Sequence, residues 1–121
     1  MLDSGDLGRY DRPILKDPQP AGAAEWLLIE STYGNRAHAK DSETELRNLI
    51  KATVAERGCL VIAAFAIGRT QDLLYTIRKM EDDSEIPAIP VHVDSPMGWE
   101  AMEIYSRHTD EHNFEMAKLR D

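Results

Sequence analysis

Cys59-Leu60-Val61-Ile62-Ala63-Ala64-Phe65, running into Ala66-Ile67-Gly68-Arg69-Thr70-Gln71, is the stretch on which the fold reading turns. The first part is continuously apolar, short and without alternation. It therefore predicts a strand covered on both faces rather than a half-solvated one. Gly68 punctuates the run, and Leu73, Leu74, Ile77 and Met80 then recur at helical spacing, so a helix follows the turn. Upstream, Ser42 and Glu45 stand three apart in the pattern of a capping box, and Leu46, Leu49, Ile50, Thr53 and Val54 share one helical face ahead of Gly58. Before that helix, Trp26-Leu27-Leu28-Ile29 forms a short apolar run that predicts a buried strand ending in Glu30-Ser31. Downstream, Val91-His92-Val93 predicts a third strand and Asp94-Ser95-Pro96 its exit turn. Proline just inside a helix start costs no hydrogen bond, so residues 97–108 predict a third helix.

Residues 1–25 read as a loop-rich lead-in, with Gly5, Gly8, Pro13, Pro18 and Pro20. The order after it is strand, helix, strand, helix, strand, helix. That alternation predicts an α/β fold built on a parallel sheet with flanking helices and right-handed crossovers.

Composition sets outer limits. Of 121 residues, 42% are hydrophobic and 30% charged, which excludes collagen-like, low-complexity and largely disordered classes. No apolar run reaches the about 18 residues of a membrane span, so no membrane partner is expected. The single cysteine, Cys59, excludes an internal disulfide framework, suits a reducing cytoplasm, and reads as a buried inert thiol. A net charge of −8 makes the chain a poor general phosphate binder, so any nucleic-acid role rests on a local site. Glu81-Asp82-Asp83 and the tail from Asp110 read as solvated surface.

Each predicted strand ends in residues that a purely structural loop does not require: Glu30-Ser31-Thr32-Tyr33-Gly34, Gly68-Arg69-Thr70-Gln71 and Asp94-Ser95-Pro96-Met97. Ligands of open α/β sheets bind at the carboxyl ends of strands, where helix N-termini favour anions. A carboxylate, an arginine and several hydroxyls are thus expected on one rim. The plainer alternative, that Asp94 and Thr70 cap their helices, is compatible with it. Gly68-Arg69-Thr70 lacks the glycine and lysine of a phosphate loop. His108 and His112 stand four apart without a zincin glutamate and read as solvated tail.

Together these strings resemble the β-CASP branch of the metallo-β-lactamase superfamily, the RNA-processing nucleases of the RNase J and mRNA 3′-end-processing kind. Ser4-Gly5-Asp6-Leu7-Gly8-Arg9 resembles the aspartate motif that closes the metal site. Ile29-Glu30-Ser31-Thr32-Tyr33-Gly34-Asn35-Arg36, with His38, looks like the acidic motif opening the β-CASP insertion. Ala64-Phe65-Ala66-Ile67-Gly68-Arg69-Thr70-Gln71 and Val93-Asp94-Ser95-Pro96-Met97 resemble two further signatures of that insertion.

The resemblance implies that residues 1–40 are the terminal part of a metallo-β-lactamase-fold core and residues 41–121 the first part of a β-CASP domain. It implies a zinc-dependent phosphodiester hydrolase acting on RNA, with Asp6 bridging two zinc ions and Glu30 orienting a catalytic histidine. Arg69, Ser95 and His38 are candidate substrate contacts. Asp6 as a turn former and Glu30 as an ordinary strand-end carboxylate are the plainer readings of the same residues. The family's His-x-His-x-Asp-His string is absent from this sequence, as are its late histidine motifs. Catalytic zinc typically takes about three protein ligands, so no tight zinc binding and no activity are expected of this chain as an isolated internal fragment. A non-catalytic α/β module that binds RNA or protein is the alternative. Uncovered sheet edges and faces make a homodimer the expected association state.

Overall fold

The computed structural model describes residues 1–6, 8, 10–36 and 41–108. Two strands, β1 (Leu2–Asp3) and β2 (Leu27–Leu28), pair in parallel with Leu2 opposite Leu27 and Asp3 opposite Leu28. Three helices follow: α1 (Ser42–Ala55), α2 (Arg69–Asp82) and α3 (Pro96–Arg107). The chain is therefore α/β with a parallel pair, as expected, and the three helices fall where spacing places them.

The helix ends show local chemistry directly. Asp41, not Ser42, caps α1, its carboxylate accepting from Thr44 N at 3.3 Å. An unpaired first-turn N–H takes whichever flanking oxygen has the right backbone, and a carboxylate adds charge favourable to the helix dipole. At the other end, Gly58 N donates to Thr53 O and Arg57 N to Val54 O, with Arg57 at φ 54. The same pattern closes α2, where Glu85 N donates to Met80 O and Ser84 N to Glu81 O, with Ser84 at φ 57. Both are Schellman closures that place a side chain in the left-handed position glycine ordinarily takes. For α3, Ser95 Oγ accepts from Gly98 N at 3.0 Å and Pro96 follows the cap. A Cβ at Gly98 would come within 3.2 Å of Ser95 Cβ, so glycine is what lets the cap close.

The core sits between α1, α2 and the segment that follows α2. Ile50, Ile77, Met80 and Ile86 form one buried cluster, with Leu46 and Ile89 packed against it. Arg47 pairs with Glu85 at 2.8 Å, and Glu81 Oε1 accepts from Ile89 N at 2.9 Å, which ties α1 and the post-α2 segment to the same helix. Leu49 and Val54, expected on the inner face of α1, are instead 50% and 41% exposed. The packed stripe is narrower than the apolar stripe.

Two of the three predicted buried strands are not formed among the described residues. A strand is a pairing, and residues 59–65 and 91–93 have no ladder partner there. Without one, the apolar run stays open to solvent, with Val61 at 86% and Phe65 at 83% exposure. Cys59 at its head is exposed rather than buried. The Trp26–Ile29 stretch does supply β2, yet Leu27 and Leu28 are each 59% exposed, so it is a paired strand without a cover. β1 lies in the lead-in read as loop. No helix among the described residues is long and apolar enough to cross a membrane.

Candidate functional site

Parallel pairing sends the carboxyl ends of β1 and β2 to the same side. Ser4 N donates to Leu28 O at 2.9 Å, extending the ladder by one bond past Asp3. The Ser4 hydroxyl then does two things. It accepts from Glu30 N at 3.0 Å and donates to Gly5 O at 2.9 Å. A hydroxyl has one donor and two acceptor sites, so both bonds are made at once. The Ser4 side chain thus fastens the end of β2 to the loop that carries Asp6. That loop is shaped by its own bonds, since Gly5 N donates to the Asp3 carboxylate at 3.0 Å and Gly5 takes φ 50. Asp6 itself is exposed.

Glu30 is partly buried, and its Oε2 accepts from Thr32 N at 2.6 Å. The bond turns the chain into the tight turn over residues 31–36, in which Gly34 N donates to Ser31 O and Arg36 N to Tyr33 O. Tyr33 takes φ 60, and the Arg36 guanidinium lies over its ring at 5.5 Å from the centroid. Asp6 and Glu30, predicted from separate motifs, are in this way brought to adjoining strand ends. His38 lies outside the described residues, as do Leu7, Arg9, His112 and the acidic tail from Asp110.

The other two candidates stand on helix starts. Arg69 is the first residue of α2 and exposed, after Gly68 at φ 80, a cap without a side chain. Ser95 caps α3, so its oxygen already accepts one backbone N–H and keeps its O–H for another partner. Thr70 does not cap α2: its hydroxyl donates to Phe65 O at 2.8 Å and clamps the preceding turn. Asp94 is not the cap of α3 either, a role Ser95 holds. Among the described contacts, none joins Arg69 or Ser95 to Asp6 or Glu30.

One link does reach across. Arg12, six residues after Asp6, forms a partly buried ion pair with Asp72 in the first turn of α2. It attaches the segment behind the aspartate loop to the helix that starts with Arg69. Neither Arg12 nor Ser4 is legible as a site residue by spacing. The only cue is that Ser4 sits inside the aspartate motif.

The zinc ions that the resemblance implies can be tested on the donors present. Among the described residues no three His, Cys, Asp or Glu side chains gather closely enough to hold a metal ion. Asp6 is one exposed carboxylate, and these residues do not by themselves compose a zinc site.

Comparison with known proteins agrees with the strings. The β-CASP domain family model matches residues 70–120. Ribonuclease TTHA0252 of Thermus thermophilus is 34% identical over 88% of this chain and 25% of its own length. The transcription termination factor FttA of Methanosarcina mazei is 33% identical over 98% of this chain and 19% of its own. Cleavage and polyadenylation specificity factor 73 of Drosophila melanogaster is 29% identical over 93% of this chain and 17% of its own. The chain thus spans a quarter or less of the length of these relatives.

Proposed function

Because the chain belongs to the β-CASP branch of the metallo-β-lactamase superfamily, the branch of RNA-processing nucleases, we propose that it is part of a zinc-dependent RNA-cleaving phosphodiester hydrolase and has no turnover by itself. The observation that carries this reading is the Ser4 bridge. A serine hydroxyl bonded to both Glu30 N and Gly5 O serves no obvious packing purpose on so short a strand pair. It does fix the spacing between an aspartate loop and a strand-end glutamate, which is what a shared acidic site requires.

The roles follow from position. Asp6 is offered on a loop held by its own hydrogen bonds, suited to meet metal ligands from elsewhere in a longer protein. Glu30, its carboxylate anchored by Thr32 N, is suited to orient a donor rather than to attack. Arg69 supplies charge at a helix start, where a phosphate is also favoured by the unpaired backbone N–H groups. Ser95 supplies an O–H, and His38 remains the third substrate contact of the proposal. Residues 1–40 serve as the metallo-β-lactamase-fold part and residues 41–121 as the start of the β-CASP part, in a reducing cytoplasm. Exposed Trp26, Leu27, Leu28 and Ile29, with Val61 and Phe65, favour self-association, most simply as a two-fold dimer.

Calorimetric titration with zinc chloride, paired with a gel assay on a short single-stranded RNA, tests the reading. No cleavage and no tight zinc binding are expected of the chain. RNA turnover by the isolated chain would overturn the proposal. Metal-free RNA binding in the micromolar range would favour the alternative, a binding module that reuses this half-sheet.

A further inference from the structure

Gln71 is fully buried, the one buried polar side chain among the described residues, and this in a chain with many exposed apolar ones. Its Nε2 donates to Ala66 O at 3.0 Å, while Oε1 is buried without a partner. Replacing that acceptor by an apolar group of like shape would remove an uncompensated desolvation cost, so packing alone does not account for glutamine here. What the side chain does hold is the turn in front of α2. Phe65 O receives both Thr70 N at 3.2 Å and Thr70 Oγ1 at 2.8 Å, and Arg69 N donates to Ile67 O at 3.1 Å. Ala66 O is the next carbonyl along, and Gln71 is what binds it. The three residues that follow Gly68 thus each grip one carbonyl of the turn.

We infer that Gln71 is a positioning residue: its buried carboxamide locks the turn over residues 65–68 and so fixes where Arg69 stands at the start of α2. Rules of polar satisfaction tend to be broken where function sets the geometry, and the unpaired Oε1 is such a breach. The inference rests on the proposed phosphate contact of Arg69 for its purpose. The locking itself does not depend on it.

Two arms keep the two apart. Backbone order parameters are measured by 15N relaxation on the whole chain for wild type, Gln71→Met and Thr70→Val. Methionine keeps the volume and removes the donor. In wild type the amides of Ile67, Gly68 and Arg69 should show the about 0.85 of rigid backbone. In Gln71→Met they should fall below about 0.6 while those of Ile77 and Met80 stay rigid. Thr70→Val, which removes the neighbouring grip, should loosen the same amides. Unchanged values in Gln71→Met would overturn the inference, and so would loosening of all of α2 or loss of the fold, either of which makes Gln71 a core residue. The second arm follows the Arg69 amide while a single-stranded RNA tetranucleotide is titrated to high concentration. Arg69→Ala and Gln71→Met should both abolish the RNA-induced shift there. A loosened turn with no wild-type shift at Arg69 leaves the locking standing and removes the phosphate contact. A wild-type shift that persists in Gln71→Met retains the contact and removes the positioning role.

Discussion

Ile50→Ala and Leu49→Ala, made separately, form the sharpest test of the packing described above. Both residues lie on α1, both belong to the apolar stripe of the sequence, and both changes remove three carbons. Yet Ile50 is 2% exposed and touches the cluster of Ile77, Met80 and Ile86, whereas Leu49 is 50% exposed. At about 0.8 kcal/mol per buried methylene, truncating Ile50 loses roughly 2.4 kcal/mol of transfer free energy. The cavity left behind brings the expected cost to about 3–4 kcal/mol. For Leu49 roughly half the transfer term applies and no enclosed cavity forms, so about 1 kcal/mol is expected. Helix propensity favours alanine slightly in both cases and shifts neither by more than about 0.5 kcal/mol. Urea denaturation followed by far-ultraviolet circular dichroism, at a protein concentration low enough to suppress association, reads the difference directly. Against a whole-domain stability of about 5–15 kcal/mol, a gap of this size moves the midpoint visibly. Equal costs at the two positions, or a larger one at Leu49, would refute this account of which face of α1 is buried.

Arg57→Gly is expected to stabilise the chain by about 0.5–1 kcal/mol, because glycine takes the left-handed backbone of the α1 closure without a Cβ penalty. The thermal midpoint reads it, and a lowered midpoint would argue against that closure. Ser95→Ala should cost about 1 kcal/mol by leaving Gly98 N unpaired, while Ser95→Asp should restore most of it. Ser4→Ala should destabilise by about 1 kcal/mol, with amide chemical shifts moving at both Glu30 and Gly5. A change confined to one of the two would break the bridge argument. Sedimentation at rising concentration should show a dimer, and a clean monomer throughout would remove the self-association proposal.

The helices were legible because their signals are local. Spacing, a proline at N1 and cap residues lie within a few positions of one another, and α2 and α3 fall where Gly68 and Ser95-Pro96 place them. The strands were less so. The run at residues 59–65 has the composition of a covered strand, but composition reports what a segment seeks and not what is present to pair with it. Leu2–Asp3 shows the converse: a two-residue strand carries no periodicity, and its existence depends on a partner some 25 residues away. Asp6 and Glu30 could be named from their motifs, while the atom that couples them, Ser4 Oγ, could not, since a side-chain to backbone bond across 26 residues leaves no pattern in one sequence. Likewise Gln71 stood within a quoted motif, and only its burial separates it from its neighbours.

The ion pair between Arg12 and Asp72 spans 60 residues. Bringing such distant points together pays a closure entropy that contacts within α1 or α2 do not. The helix pair, joined by nearby residues and its isoleucine–methionine cluster, is expected to assemble first, with the amino-terminal strands docking afterwards onto the start of α2. The aspartate loop and the helix bearing Arg69 then meet in the last step of folding rather than the first. Their alignment belongs to the least secured and earliest released part of the molecule.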